Sequence, residues 1–191
     1  MKRNLLLLVC GLVGSLAAVA QETAPTPVAE VGMTYSYTNT MPGGGAPSFG
    51  SQGGSGTFIY NFNKAIGVVA DLGAYHNGDD ANFNPTTFSY LFGPRLSLRK
   101  SAKFTPYVQA LFGGARVSTS LVDPNTGNSV VQNGFAAAFG GGLDIRVTDH
   151  VAVKPFQIEY LMTQVPNIWS PNNTQNNIRY SAGLVFRFGT K

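Results

Sequence analysis

The last stretch of the chain constrains the fold more than any other. Ile178, Tyr180, Ala182, Leu184, Phe186 and Phe188 alternate with Arg179, Ser181, Gly183, Val185 and Arg187. A period of two places these sets on opposite faces of a β-strand. One face is aromatic and aliphatic; the other is small or carries arginine. A soluble barrel would bury the aromatic face and show the arginines to water. A strand in a membrane barrel does the reverse, with apolar residues toward lipid and polar ones toward the lumen.

The same alternation recurs upstream. It predicts strands at about Val28–Thr38, Ser55–Asn63, Ala65–Tyr75, Thr87–Leu98, Phe104–Ala115, Gly134–Arg146 and Val151–Gln164, which makes eight with the closing segment. The connectors alternate in length. Those at 63–64, 99–103 and 148–150 are short. Those at 39–54, 76–86, 116–133 and 165–177 are longer and rich in Gly, Pro, Asn and Ser. Short turns on one side and long loops on the other characterise outer-membrane barrels, and an even strand number puts both ends of the barrel with the short turns. The expected fold is therefore all-β: an eight-stranded antiparallel up-and-down transmembrane β-barrel. Pro94, Pro106 and Pro155 interrupt this pattern, and each is expected to cause a bulge or a missing ladder bond.

Composition agrees. Charged residues make up 12% of the chain, against about 25% in soluble domains, while the chain holds 23 glycines and 12% aromatics. Part of the apolar content lies at the N-terminus. Lys2 and Arg3 precede an apolar stretch from Leu5 through Ala18, and Ala18-Val19-Ala20 reads as a small-residue cleavage site. The expected organisation is a cleavable signal peptide at 1–20, a short linker at 21–27 and the barrel at 28–191. Cys10, the only cysteine, lies inside the signal, so no disulfide is expected. The basic residues are scattered, with no run longer than Arg99-Lys100, so the net charge of +4 does not point to nucleic acid.

The order and spacing of these strands resemble the small outer-membrane β-barrel domain family, similar in architecture to the transmembrane domain of outer membrane protein A. The resemblance is carried by Phe92-Gly93-Pro94-Arg95, by Gln157-Ile158-Glu159-Tyr160 and by the closing alternation Tyr180–Phe188. It implies residence in the outer membrane of a Gram-negative bacterium, contact with outer-membrane lipids and lipopolysaccharide, and passage through the barrel-assembly machinery. A terminal aromatic is often read by that machinery; here Phe188 is followed by Gly189, Thr190 and Lys191. No peptidoglycan-binding domain is expected to follow.

An eight-stranded barrel is just wide enough for side chains to fill. The inward charges predicted from parity are Glu30, Asp71, Asp144 and Glu159 against Arg95, Arg146, Arg179 and Arg187. Counting from the short turns pairs Glu30 with Arg187, Glu159 with Arg179 and Asp71 with Arg95, an ion-paired plug. Lys154 has outward parity and is expected to snorkel near a short turn. Tyr35, Tyr37, Tyr60, Tyr90 and Tyr180 are assigned to the outer aromatic belt. Phe62, Phe156, Phe186 and Phe188 are assigned to the inner one.

His76 with Asp79 and Asp80 could activate water, but an Asn-Gly-Asp-Asp turn explains the same residues. No catalytic residue, cofactor site or metal site is assigned. Gly43–Gly45 lacks the following Lys-Ser of a phosphate loop. The expected role is structural or surface interaction, with a possible extracellular partner for the long loops. A narrow pore is the alternative, and a lipid-modifying enzyme is a second one.

Overall fold

The computed structural model describes residues 25–41, 48–77, 85–122, 129–165 and 174–190; of 119–122, 129 and 130 it describes the backbone alone. The predicted signal peptide at 1–20 lies outside the described residues, as do Asp79 and Asp80. Eight strands run in order: β1 (Pro27–Met41), β2 (Phe49–Asn61), β3 (Ile66–His76), β4 (Thr86–Ser97), β5 (Phe104–Val122), β6 (Ser129–Arg146), β7 (Val151–Gln164) and β8 (Thr174–Thr190). Each pairs antiparallel with its neighbours, and β1 pairs with β8 to close the barrel. Closure leaves no sheet edge across the apolar zone, the one way in which strands can satisfy their backbone in lipid. No helix among the described residues is long and apolar enough to cross a membrane.

The register fixes the barrel's shape. From Val31 the pairing runs through Phe58, Ala70, Phe92, Phe112, Ala137, Met162 and Asn176, and returns to β1 at Met41, ten residues along. A stagger of ten residues at ~3.3 Å each, across eight strands ~4.8 Å apart, tilts the strands by about 40°.

The predicted faces are observed. Along β1, Val31, Met33, Tyr35 and Tyr37 are exposed, while Glu30, Thr34, Ser36 and Thr38 are buried. Along β8, Tyr180, Leu184, Phe186 and Phe188 face out, and Arg179, Ser181, Val185 and Arg187 face in. At one end of the outward band, the Tyr35 hydroxyl donates to Gln52 and that of Tyr160 to Asn176. Such pairs keep each ring upright with its polar tip toward water. Tyr60 departs from the expected outer belt. It pairs with Ala29 near the short-turn end and packs edge-on against Phe62, with ring centroids 5.3 Å apart.

The strands outrun their predicted limits. β2 begins at Phe49, inside the expected first loop, and β5 and β6 extend to Val122 and Ser129. Here backbone pairing sustains strand structure through Gly-, Ser- and Thr-rich sequence that carries little pattern of its own. At Pro94 the register is kept, but pairing with β5 lapses at Gly93 and Pro94, the missing ladder bond expected there; Pro106 pairs with Leu143 in unshifted register. Of the three prolines only Pro155 shifts the register, against both β6 and β8. Pro155 and Phe156 are both exposed there, so β7 carries one extra residue in a bulge.

Candidate functional site

The lumen is the chemically distinctive part of the molecule. Among the described residues nine acidic and basic side chains are buried in it: Glu30, Asp71, Asp144 and Glu159, with Arg95, Arg99, Lys154, Arg179 and Arg187. Burying a charge is costly unless it is paired and hydrogen-bonded, and these residues group accordingly.

The upper group is built on Arg179. From β8 its Nε donates to Glu159 Oε2 at 2.7 Å, and its Nη1 donates to Asp71 Oδ1 at 3.0 Å and to the Tyr75 hydroxyl at 2.5 Å. Glu159 also accepts from Gln109 Nε2 at 2.8 Å. One guanidinium thus ties β8 to β7 beside it and to β3 across the lumen. Its fork of donors suits two carboxylates at once. Tyr75 reaches this group because Gly73 leaves room for the ring: a Cβ at Gly73 would lie 2.3 Å from the Tyr75 hydroxyl oxygen.

The middle group is Arg95 with Asp144, 2.5 Å apart, from β4 and β6. The Arg95 guanidinium lies over the Tyr107 ring, 3.6 Å from its centroid, a cation–π contact. Tyr107 donates to Gln157 Oε1 at 2.6 Å, and Lys154 Nζ donates to the same oxygen at 2.8 Å. Gly142 accommodates this tyrosine, since a Cβ there would lie 2.7 Å from its hydroxyl.

The lower group, at the short-turn end, is centred on Glu30. Its Oε1 accepts from Arg99 Nη2 at 2.5 Å and from Asn61 Nδ2 at 2.8 Å. Arg187 Nε lies 3.5 Å from Oε2. Asn61 Nδ2 also donates to the Pro27 carbonyl at 2.9 Å. Glu30 therefore links β1 to β2, to β8 and to the turn after β4.

Of the predicted pairs, Glu30 with Arg187 and Glu159 with Arg179 are brought together. Asp71 with Arg95 is not. Arg95 pairs in register with Gly67, four residues along β3 from Asp71, and the two charges join different groups. Arg146 does not join the lumen network either; it is half-exposed and pairs with Asp149 in the β6–β7 turn. That hydrogen bond holds the Asp149 carboxyl below its usual range. Lys154 is corrected from outward to inward. The extra residue at Pro155 reverses the parity below it, and Lys154 is 1% exposed. Arg99 was missed because it lies in a turn, yet its side chain reaches back into the barrel. Its spacing of two from Ser97 and four from Arg95 continues the inward parity of β4.

The lumen wall is not uniform. On β1, β2 and β8 it carries hydroxyls, with Thr34 bonded to Ser55 and Ser36 bonded to Ser181, each at 2.8 Å. β2 also contributes Ile59, which clusters with Val69, Leu91, Leu111 and Leu161 and the small Ala136 and Ala138 from β3 to β7. These side chains are buried, and large ones fill the interior. His76, exposed at the end of β3, bonds to Thr86 through Nδ1 at 2.9 Å. No group of three or more metal-ligating residues occurs among the described residues.

Several solved structures share this architecture. Neisserial surface protein A aligns with a TM-score of 0.67 at 16% identity, over 84% of this chain and 97% of that one. Ail, the attachment invasion locus protein of Yersinia pestis, aligns with a TM-score of 0.59 at 15% identity, over 84% and 97%. The N-terminal β-barrel domain of Pseudomonas aeruginosa OprF aligns with a TM-score of 0.50 at 14% identity, over 83% and 97%. At these identities the likeness is one of fold. No curated protein matches the sequence. The sequence itself matches the family described as outer membrane protein beta-barrel domain over residues 6–188. With the closed eight-stranded sheet, the lipid-compatible outer face and the ion-paired interior, that match establishes the chain as a member of the outer membrane protein beta-barrel domain family.

Proposed function

We propose that the protein is a filled outer-membrane anchor that presents its β5–β6 hairpin to an extracellular partner, and that it reaches the membrane through a cleavable signal at 1–20. The observation that carries this reading is the relative reach of the strands. β5 and β6 have 19 and 18 residues, the longest of the eight. Pairing with β4 ends at Thr86 opposite Ser118, and pairing with β7 ends at Gln164 opposite Phe135. The hairpin continues past both to the pair Val122 and Ser129. It is a backbone-paired continuation of the barrel wall, with one irregularity of register between Ser118 and Val122, on the side of the longer loops, where water and partners are met. Preorganised contact elements lose less conformational freedom on binding than free loops do.

The interior supports an anchor more than a passage. Three charged groups cross-link the walls, and the largest fully buried side chains include Arg95, Arg179 and Lys154. A fold of this kind can present a ligand-binding surface: the Yersinia pestis Ail structure has been solved in complex with the heparin analogue sucrose octasulfate. The ligand of the present chain is to be sought at the hairpin. Replacing 119–130 by a two-residue turn should leave the barrel folded, as read by its heat-dependent shift on a gel, and abolish binding of whole cells to host surfaces or matrix. Unchanged cell binding by the folded variant would contradict the hairpin's role.

A further inference from the structure

The exposed lysines of the barrel gather at one end. Lys64 lies in the β2–β3 turn, and Lys100 and Lys103 lie in the β4–β5 turn. All three are exposed, and none has an ion-pair partner among the described residues. The one exposed carboxylate among those residues is Asp149, and Arg146 already bonds to it. Toward the longer loops, Arg116 is the one exposed arginine or lysine described.

Local hydrogen bonds fix these turns and set them side by side. The Asn63 side chain accepts from the Ala65 and Ile66 amides, both at 2.8 Å. The Ser101 hydroxyl accepts from the Lys103 and Phe104 amides at 3.3 and 3.4 Å. Such side-chain-to-backbone bonds close a turn on itself. The Ser97 amide donates to the Ala65 carbonyl at 2.7 Å, which ties the end of β4 to the β2–β3 turn. The Arg146 amide donates to the Lys103 carbonyl at 2.8 Å, which ties the end of β6 to the β4–β5 turn. Lys64, Lys100 and Lys103 therefore share one arc of the rim.

Exposed apolar side chains adjoin each lysine. Phe62 and Ile66 flank Lys64, and Leu98 and Phe104 flank the other two. The Lys103 ammonium lies 5.9 Å from the Phe104 ring centroid. These apolar residues belong to the outward band that meets lipid, so the charges stand where hydrocarbon gives way to headgroups. A lysine at such a boundary lays its methylenes along apolar surface and sets its ammonium at headgroup level. The ligand that matches both parts is amphipathic, an anionic headgroup on an acyl-chain body. A soluble anion or a polysaccharide would meet the charges and leave the apolar band unmatched.

We propose that the arc of the short-turn rim from Lys64 to Lys103 selects anionic phospholipids, phosphatidylglycerol in kind, from the leaflet it faces. A basic side chain near an anionic membrane surface favours association by about fivefold.

The test is electron spin resonance of the folded protein in phosphatidylcholine vesicles, with spin-labelled phosphatidylglycerol or spin-labelled phosphatidylcholine as the probe. At low salt the first should associate with the barrel about fivefold more strongly than the second, and the preference should fall as salt is added. The triple variant Lys64→Gln, Lys100→Gln, Lys103→Gln changes exposed turn residues alone and should abolish the preference. Arg116→Gln should keep it. Equal association of the two lipids with the wild-type protein overturns the proposal. So does a preference that survives in the triple variant or disappears in Arg116→Gln. The salt series needs no variant to fold, and a preference in the wild-type protein that salt leaves unchanged contradicts selection by charge.

Discussion

Arg179 shows how much one side chain can carry here. It holds Asp71 and Glu159 together at no exposure to solvent. Removing one partner from a buried ion pair leaves an uncompensated charge, which costs about 3–5 kcal/mol. Arg179→Met should cost about that much, read as a lower midpoint in urea unfolding of the barrel in lipid vesicles. In an Asp71→Asn, Glu159→Gln background the same change should cost far less, because no carboxylate is then stranded. Equal costs in the two backgrounds would show that Arg179 acts by packing alone. Arg179 and Glu159 were legible from parity, since both sit on uninterrupted alternation. Asp71 was recognised as inward but matched to the wrong arginine. Strand stagger decides which heights coincide, and no count from a turn reveals the stagger.

Among the elements, β7 separates what periodicity shows from what it hides. Above Pro155 the alternation reads correctly through Gln157, Ile158, Glu159 and Tyr160. Below it, the bulge turns Lys154 from the lipid side to the lumen. Proline itself was the visible signal, but Pro94 and Pro106 carry the same signal without a shift. Which proline takes an extra residue depends on the partner strands. The consequence is measurable. In folded protein Lys154 should resist acylation by a water-soluble lysine reagent, while the exposed Lys64, Lys100 and Lys103 react, with sites read by mass spectrometry. Reaction of Lys154 at the rate of those three would return it to the outer face. The strand extensions were illegible for a different reason. In Phe49-Gly50-Ser51-Gln52-Gly53-Gly54 there are few side chains to alternate, and the pairing is held by backbone groups on β1 and β3.

For the whole molecule, the outward aromatic and aliphatic band and the inward charges form one arrangement. The first places the sheet in lipid; the second fills what the sheet encloses. The fold was legible almost entirely from alternation and connector length, because both faces of every strand meet strongly different surroundings. The finer layout of the lumen was not, since it depends on long side chains such as Arg99 reaching beyond their own strand. In the proposed function, paired charges and packed side chains close the interior, so that the barrel anchors and does not conduct. Planar-bilayer recording of the pure, refolded protein should show no steady open state in the wild-type barrel; a stable, large conductance in every insertion would contradict a closed interior.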